Sequence, residues 1–120
     1  MPRVLIVDDA PFIRFSLRNM LEKNGFEVAG EAEDGVVAIS KYKQLRPDIV
    51  TLDITMPELN GLEALKEITA YDPQAKIVMV SAMGQQHNIK EAILNGAKYF
   101  LVKPYKEDQV IETLTKVLEM

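Results

Sequence analysis

The 120-residue chain contains no cysteine and only one histidine, His87. Without cysteine there is neither a disulfide framework nor a thiolate metal site, so nothing in the sequence requires an oxidising compartment. No His/Cys constellation exists to hold a softer metal. His87 falls at a predicted helix start and reads as a surface residue, not as a phosphodonor. Long apolar runs are also missing: Met1-Pro2-Arg3 leads into an apolar stretch of only four residues, far short of a signal peptide's apolar region or a spanning helix. Basic runs are absent too. The chain has 14 Lys+Arg against 18 Asp+Glu, a net charge of −4, which argues against binding to a phosphate backbone. The expectation is a soluble cytoplasmic protein that engages neither nucleic acid nor membrane.

What the chain does have is alternation. Apolar runs rich in branched residues lie at 4–7, 27–30, 49–52, 77–80 and 99–102. Between and after them, stretches at about 11–24, 35–45, 61–71, 85–95 and 107–119 space apolar residues three and four apart, as in Ile13, Leu17, Met20 and Leu21. This (βα)5 pattern predicts an α/β fold with a five-stranded, doubly wound parallel sheet. Strands apolar on both faces, such as the first, third and fourth, need helices covering both sides. The second run is the most polar and is expected at an edge. Gly25, Gly35, Gly61 and Gly96 fall beside predicted helix ends, and Pro47, Pro57, Pro73 and Pro104 fall in connections. A chain of this length forms one domain that buries roughly two-thirds of its unfolded surface, and no repeat, linker or low-complexity tract divides it.

Four short signals end four of these strands: Asp8-Asp9, Asp53, Ser81 and Lys103-Pro104. In an open parallel sheet, ligands bind beyond the carboxyl ends of the strands, where the strand order reverses. One sheet edge would therefore bring together three carboxylates, a hydroxyl and an ammonium, the inventory for placing a phosphoryl group on an aspartate. Each signal also has an ordinary reading. Adjacent aspartates can cap a following helix, an aspartate can be a turn residue before a proline, and most lysines are solvated surface charges. Phe100 alone reads as core, Met56, Met79 and Met83 as apolar filling, and Glu31, Glu33 and Asp34 as a solvated loop. Position distinguishes the readings: the acidic residue in the middle of the sheet, between Asp9 and the later strand ends, is Asp53. Magnesium, which takes one or two carboxylates, phosphate oxygens and several waters, suits a shallow acidic pocket.

The segments 4–9 followed by Arg14, 48–57 with Asn60-Gly61, Ser81-Ala82 and Lys103-Pro104 resemble those of a response-regulator receiver domain, over the whole chain. Segments 53–61 and 81–86 further resemble the chemotaxis members of that family. The resemblance implies a flavodoxin-like strand order, 2-1-3-4-5. It implies that Asp53 is the phosphorylated residue, that Asp9 and Asp53 bind Mg2+ directly, and that Asp8 acts through a bound water. The Thr55 backbone carbonyl would be a further ligand, with Mn2+ as a substitute ion. Lys103 would serve as a point charge toward the phosphoryl group, preceding a cis proline. Ser81, where many members have threonine, would sense the phosphoryl oxygens, and Phe100, where many have tyrosine, would be the switch aromatic. Phosphate lifetime in the family varies partly with the positions occupied here by Thr55 and Met83.

The function so implied is a phosphorylation-activated switch that takes a phosphoryl group from a histidine kinase. It would bind a target by the face of its fourth helix, fifth strand and fifth helix. A chain ending with its fifth helix is expected to span one receiver domain, residues 1–120, without an output domain, so that output is protein binding. The chemotaxis resemblance points to the flagellar motor switch as target, with a phosphatase as a further partner. The protein is then no turnover enzyme, catalysing only its own phosphorylation and dephosphorylation. Two alternatives stand beside this: a phosphorelay intermediate or receiver of another pathway, and a small phosphatase with an aspartate nucleophile. The phosphatases tend to carry Asp-x-Asp after the first strand and a cap, whereas here the aspartates are adjacent.

Overall fold

Branched apolar runs become strands and the amphipathic stretches become helices, in strict alternation. The order is β1 (Arg3–Val7), α1 (Pro11–Lys23), β2 (Glu27–Ala32), α2 (Gly35–Leu45), β3 (Ile49–Asp53), α3 (Gly61–Tyr71), β4 (Ile77–Ala82), α4 (Gln86–Leu94), β5 (Tyr99–Lys103) and α5 (Glu107–Leu118). The computed structural model describes residues 1–56 and 58–120; Pro57, expected in a connection, lies outside the described residues. All strand pairs are parallel, and the sheet order is β2-β1-β3-β4-β5. The polar second strand is at an edge, as its composition requires. The strand order reverses between β1 and β3, which puts the crevice between their carboxyl ends.

Side chains alternate between the two faces of a strand, and two apolar cores follow from that. On one face Leu5, Val7, Val50, Leu52, Ile77 and Met79 pack against Ala38 of α2, Leu65 and Ile68 of α3 and Ala92 of α4. On the other, Val4, Ile6, Ile49, Val78, Val80 and Leu101 pack against Leu17 and Leu21 of α1 and Val110, Leu114 and Val117 of α5. Residues buried on both faces, such as Leu5 and Ile6 at 0% exposure, explain why β1 reads as a continuous apolar run. Each fully buried side chain of this size contributes about 1.5–3 kcal/mol, so the cores fix the strand register and with it the positions of the strand-end residues.

Three readings of polar and methionine residues need correction. Glu31 is not in a solvated loop but in β2, half-buried and paired with Arg14 at 3.0 Å and Arg18 at 2.8 Å. Burial works against its charge, yet the hydrogen bonds from Arg18 and Arg14 outweigh it and hold the carboxyl below its ordinary range. Asp34 caps α2, its carboxylate accepting the Val37 N–H at 2.9 Å. Met83 is not filling: Met79 is fully buried, whereas Met83 is 75% exposed at the sheet's carboxyl end. The exposed placement of His87 agrees with the expectation.

Gly61 opens α3 directly behind the end of β3. Its N–H donates to the Ile54 carbonyl at 2.8 Å, and a Cβ there would lie 2.1 Å from the carbonyl oxygen of Asp53. Only glycine permits this approach, so the residue sets how closely α3 seats against the backbone of Asp53. Gly61→Ala is therefore expected to cost about 2–3 kcal/mol by overpacking, read as a lowered urea midpoint. A variant as stable as the parent would show that the helix can shift without cost.

Candidate functional site

At the carboxyl end of the sheet, Asp8, Asp9 and Asp53 each place a carboxylate oxygen within 4.8 Å of the others. Asp8 and Asp53 are buried and Asp9 is exposed. The aspartates do not cap α1. Its N-cap is Ala10, without a side-chain cap, and the helix starts on Pro11, whose missing N–H and fixed φ suit the first position. Asp8 instead accepts the Ala10 N–H at 2.9 Å through Oδ1, while its backbone N–H donates to Ala32 at 3.1 Å. Arg14, itself held by Glu31, donates to the Asp8 carbonyl at 2.7 Å. Asp8 is thus fixed from three sides.

Asp53 is the last residue of β3, Ser81 is next to last in β4, and Lys103 ends β5. These residues stand within the strand ends and not beyond them, so the sheet's own hydrogen bonds hold their backbones. The Lys103 ammonium lies 3.0 Å from Asp8 Oδ2 and 3.7 Å from Asp53 Oδ2, and the Lys103-Pro104 bond is cis. One lysine therefore faces two buried carboxylates, with Asp9 beside them. Burial, and then the Asp8 charge, push the Asp53 carboxyl from its ordinary 3.8 up to about 6, against the pull of Lys103 and the Thr55 N–H. The same surroundings act on Tyr105, whose phenol is raised to about 12 by burial and then by Asp8 and Asp53.

Ser81 is completely buried, and its Oγ has no hydrogen-bond partner. A buried hydroxyl left without a partner is costly; this one directly follows Val80, the register partner of Asp53 on the neighbouring strand. Strand alternation puts Ser81 on the same face as Met79, and Met79 pairs in register with Phe100. Phe100 is half-buried against the α2–α4 core, its ring 5.6 Å from that of Tyr99 in an edge-on arrangement. Ser81 and Phe100 thus share one face of neighbouring strands. Thr55 is exposed two residues beyond Asp53, and its hydroxyl is held by Gln85. Gln85, Tyr105 and the bracing function of Arg14 and Glu31 carry no local sequence signature, since their partners lie far away in the chain. Gln85 is the exception in one respect: a polar residue with no core position directly before a helix is a candidate for contacts within its own loop.

The donor set is all oxygen, which fits a hard cation: magnesium takes one or two carboxylates and leaves its other octahedral positions to water and phosphate oxygens. Among the described residues no helix is long and apolar enough to cross a membrane. The family model described as response regulator receiver domain matches residues 4–115. The chain is 59% identical to the chemotaxis protein CheY of Thermotoga maritima, over 96% of this chain and 96% of that one. It is 56% identical to CheY of Bacillus subtilis, over 97% of each. Among solved structures, it resembles the CheX-CheY-BeF3-Mg complex from Borrelia burgdorferi with a TM-score of 0.92 and 39% identity, covering 96% of this chain and 87% of that one.

The raised Asp53 sets the sign of a pH dependence. Between about pH 4 and 6 the folded metal-free protein keeps a proton that the unfolded chain releases, so stability falls as pH rises through that window and levels off above it. A shift of this size corresponds to about 2–3 kcal/mol. In EDTA, Asp53→Asn should therefore gain about 2 kcal/mol at pH 7 and flatten the slope. Denaturant unfolding at several pH values checks this; an unchanged slope in the variant would assign the titration elsewhere.

Proposed function

Since the chain belongs to the response regulator receiver domain family, we propose that Asp53 accepts a phosphoryl group from a phosphohistidine of a kinase and that the protein then binds a target. The observation that carries this reading is the crowding of three carboxylates within 4.8 Å against a single lysine. Such a pocket repels an approaching phosphate unless its charge is offset. Asp8, Asp9, Asp53 and the Thr55 backbone carbonyl would hold magnesium, or manganese in its place. The ion would supply neutralisation of charge on the transferring oxygens.

The chain's own residues do the rest. An Asp53 carboxylate oxygen attacks phosphorus as the bond from phosphorus to the donor imidazole nitrogen breaks, giving a mixed anhydride. Lys103 stands 3.7 Å from Asp53, close enough to move from Asp8 toward a phosphoryl oxygen. The partnerless Ser81 hydroxyl is a neutral donor that gains an acceptor when the phosphoryl group arrives. Phosphorylation adds about −1.5 to −2 charges, and Ser81 moving toward it frees space on the face shared with Phe100. Repacking of Phe100 then changes the surface of α4, β5 and α5, where Tyr99 and Phe100 are half-buried and Leu94 exposed.

Moving a two-state protein from 1:99 to 99:1 takes about 5.5 kcal/mol of differential affinity. A few charge-assisted hydrogen bonds supply part of this, and a bound target supplies the remainder. The likeness to chemotaxis CheY proteins supports a flagellar motor switch as target, and the Borrelia complex with CheX supports a second protein partner such as a phosphatase. The setting would be the cytoplasm, and the reaction would be confined to the protein's own phosphorylation and dephosphorylation.

Incubation with acetyl phosphate tests this reading. One acid-stable, base-labile phosphoryl group should be incorporated per chain, only with magnesium, and Asp53→Asn should abolish it. Lys103→Ala should keep its magnesium affinity, followed by NMR, while responding weakly to phosphorylation. Labelling of Asp53→Asn at the parent level would refute the assignment of the nucleophile.

A further inference from the structure

One side chain ties together the two loops that border the acidic cluster. Gln85 Oε1 accepts the Ala82 backbone N–H at 2.8 Å, and Gln85 Nε2 donates to Thr55 Oγ1 at 2.7 Å. The amide's orientation is fixed by chemistry: a backbone N–H can only donate, so the atom facing it must be the oxygen, which leaves the nitrogen for the hydroxyl. The Gln85 backbone N–H also donates to the Ala82 carbonyl, at 3.3 Å. One residue therefore holds both backbone polar groups of Ala82, the residue after Ser81, and anchors them to a residue two positions beyond Asp53.

Ser81 and Ala82 are still paired with Val102 and Lys103 of β5, but beyond them the chain has little else to fix it. Ala82, Met83 and Gly84 are all exposed, and Gly84 has a φ of +92° with open space around it. Ser81, next in the chain, is buried with its hydroxyl unpaired. A hydroxyl with no acceptor gains by moving toward one, and such a movement is opposed by the Gln85 bridge together with the pairing of Ser81 and Ala82 to β5.

We propose that Gln85 is a positioning residue that latches the Ser81–Gly84 segment to Thr55 in the resting state, and that the latch opens when Ser81 acquires an acceptor on Asp53. This rests on the reading of Asp53 as phosphoacceptor. Both latch bonds lie at the protein surface, where water can replace them, so opening is reversible. The bridge ends on Thr55, so it also links the loop after Asp53 to α4, whose first residue follows Gln85 directly.

The test uses the full chain labelled with 15N and titrated with beryllofluoride, a phosphoryl mimic, at saturating magnesium. Net hydrogen bonds change equilibria by roughly two- to tenfold. Gln85→Ala should lower the half-saturating beryllofluoride concentration about three- to tenfold, and Thr55→Val, which keeps the backbone carbonyl, should do the same. The double variant should go no lower than either single one, because both cut the same bridge. Thr55→Ser, which restores the hydroxyl, should stay within about twofold of the parent. In the free protein, hydrogen exchange at the Ala82 amide should quicken at least about threefold in Gln85→Ala. Unchanged or raised midpoints, additive effects, or unchanged Ala82 exchange would overturn the latch. Faster Ala82 exchange in Gln85→Ala, combined with a parent protein that ignores beryllofluoride, would support the resting latch and overturn the reading of Asp53 instead.

Discussion

Like charges held closer than they would choose are the constraint on which the rest of this structure depends. Asp8 and Asp53 are buried, Asp9 is within reach of both, and one ammonium faces the two buried carboxylates. At Asp53, desolvation and then the Asp8 charge disfavour ionisation, and Lys103 offsets only part of that. A site in this condition is far from electrostatic balance. It gains from a divalent cation, and after that from a group that gives Lys103 and Ser81 something to bind.

The surrounding fold is organised to prevent relaxation of the crowding. Asp8 cannot swing away, because its side chain accepts from Ala10, its N–H is paired with Ala32 and its carbonyl is held by Arg14. Arg14 is in turn braced by Glu31, which also takes Arg18. Asp53 cannot withdraw, because β3 is buried along its whole length and Gly61 seats α3 against its carbonyl. The energy that keeps the carboxylates together comes from the two apolar cores, which set the register of β1, β3 and β5 without any contribution from the site itself.

Much of this was legible in the sequence, for physical reasons that can be stated residue by residue. Runs such as Val4 to Val7 and Ile49 to Leu52 must be covered on both faces, which requires parallel strands between helices, and parallel strands align their carboxyl ends. That put Asp8, Asp9, Asp53, Ser81 and Lys103 along one edge before any distance was known. The strand order came from family likeness and not from the pattern, because periodicity does not order strands. Glu31 was misread because a charged residue in an edge strand looks like loop, and its partners Arg14 and Arg18 lie 17 and 13 residues away. Met83 was misread because hydrophobicity alone does not say which side of a chain meets solvent. The reach of Gln85 to Thr55, across 30 residues, was hidden for the same reason as the Glu31 pairs: side-chain contacts between loops leave no local pattern.

Under the proposed function, the crowding would also let a small site act on a surface elsewhere. Ser81 follows the register partner of Asp53 and shares a sheet face with Phe100, so in the proposed switch a group that draws its hydroxyl would disturb packing beneath α4. All of this rests on the charge state of one buried carboxyl. The most direct test is a 13C NMR titration of the Asp53 side-chain carboxyl in the metal-free protein. The account predicts a midpoint near 6, moving down when magnesium is added. A midpoint near the ordinary 3.8, unmoved by magnesium, would contradict it.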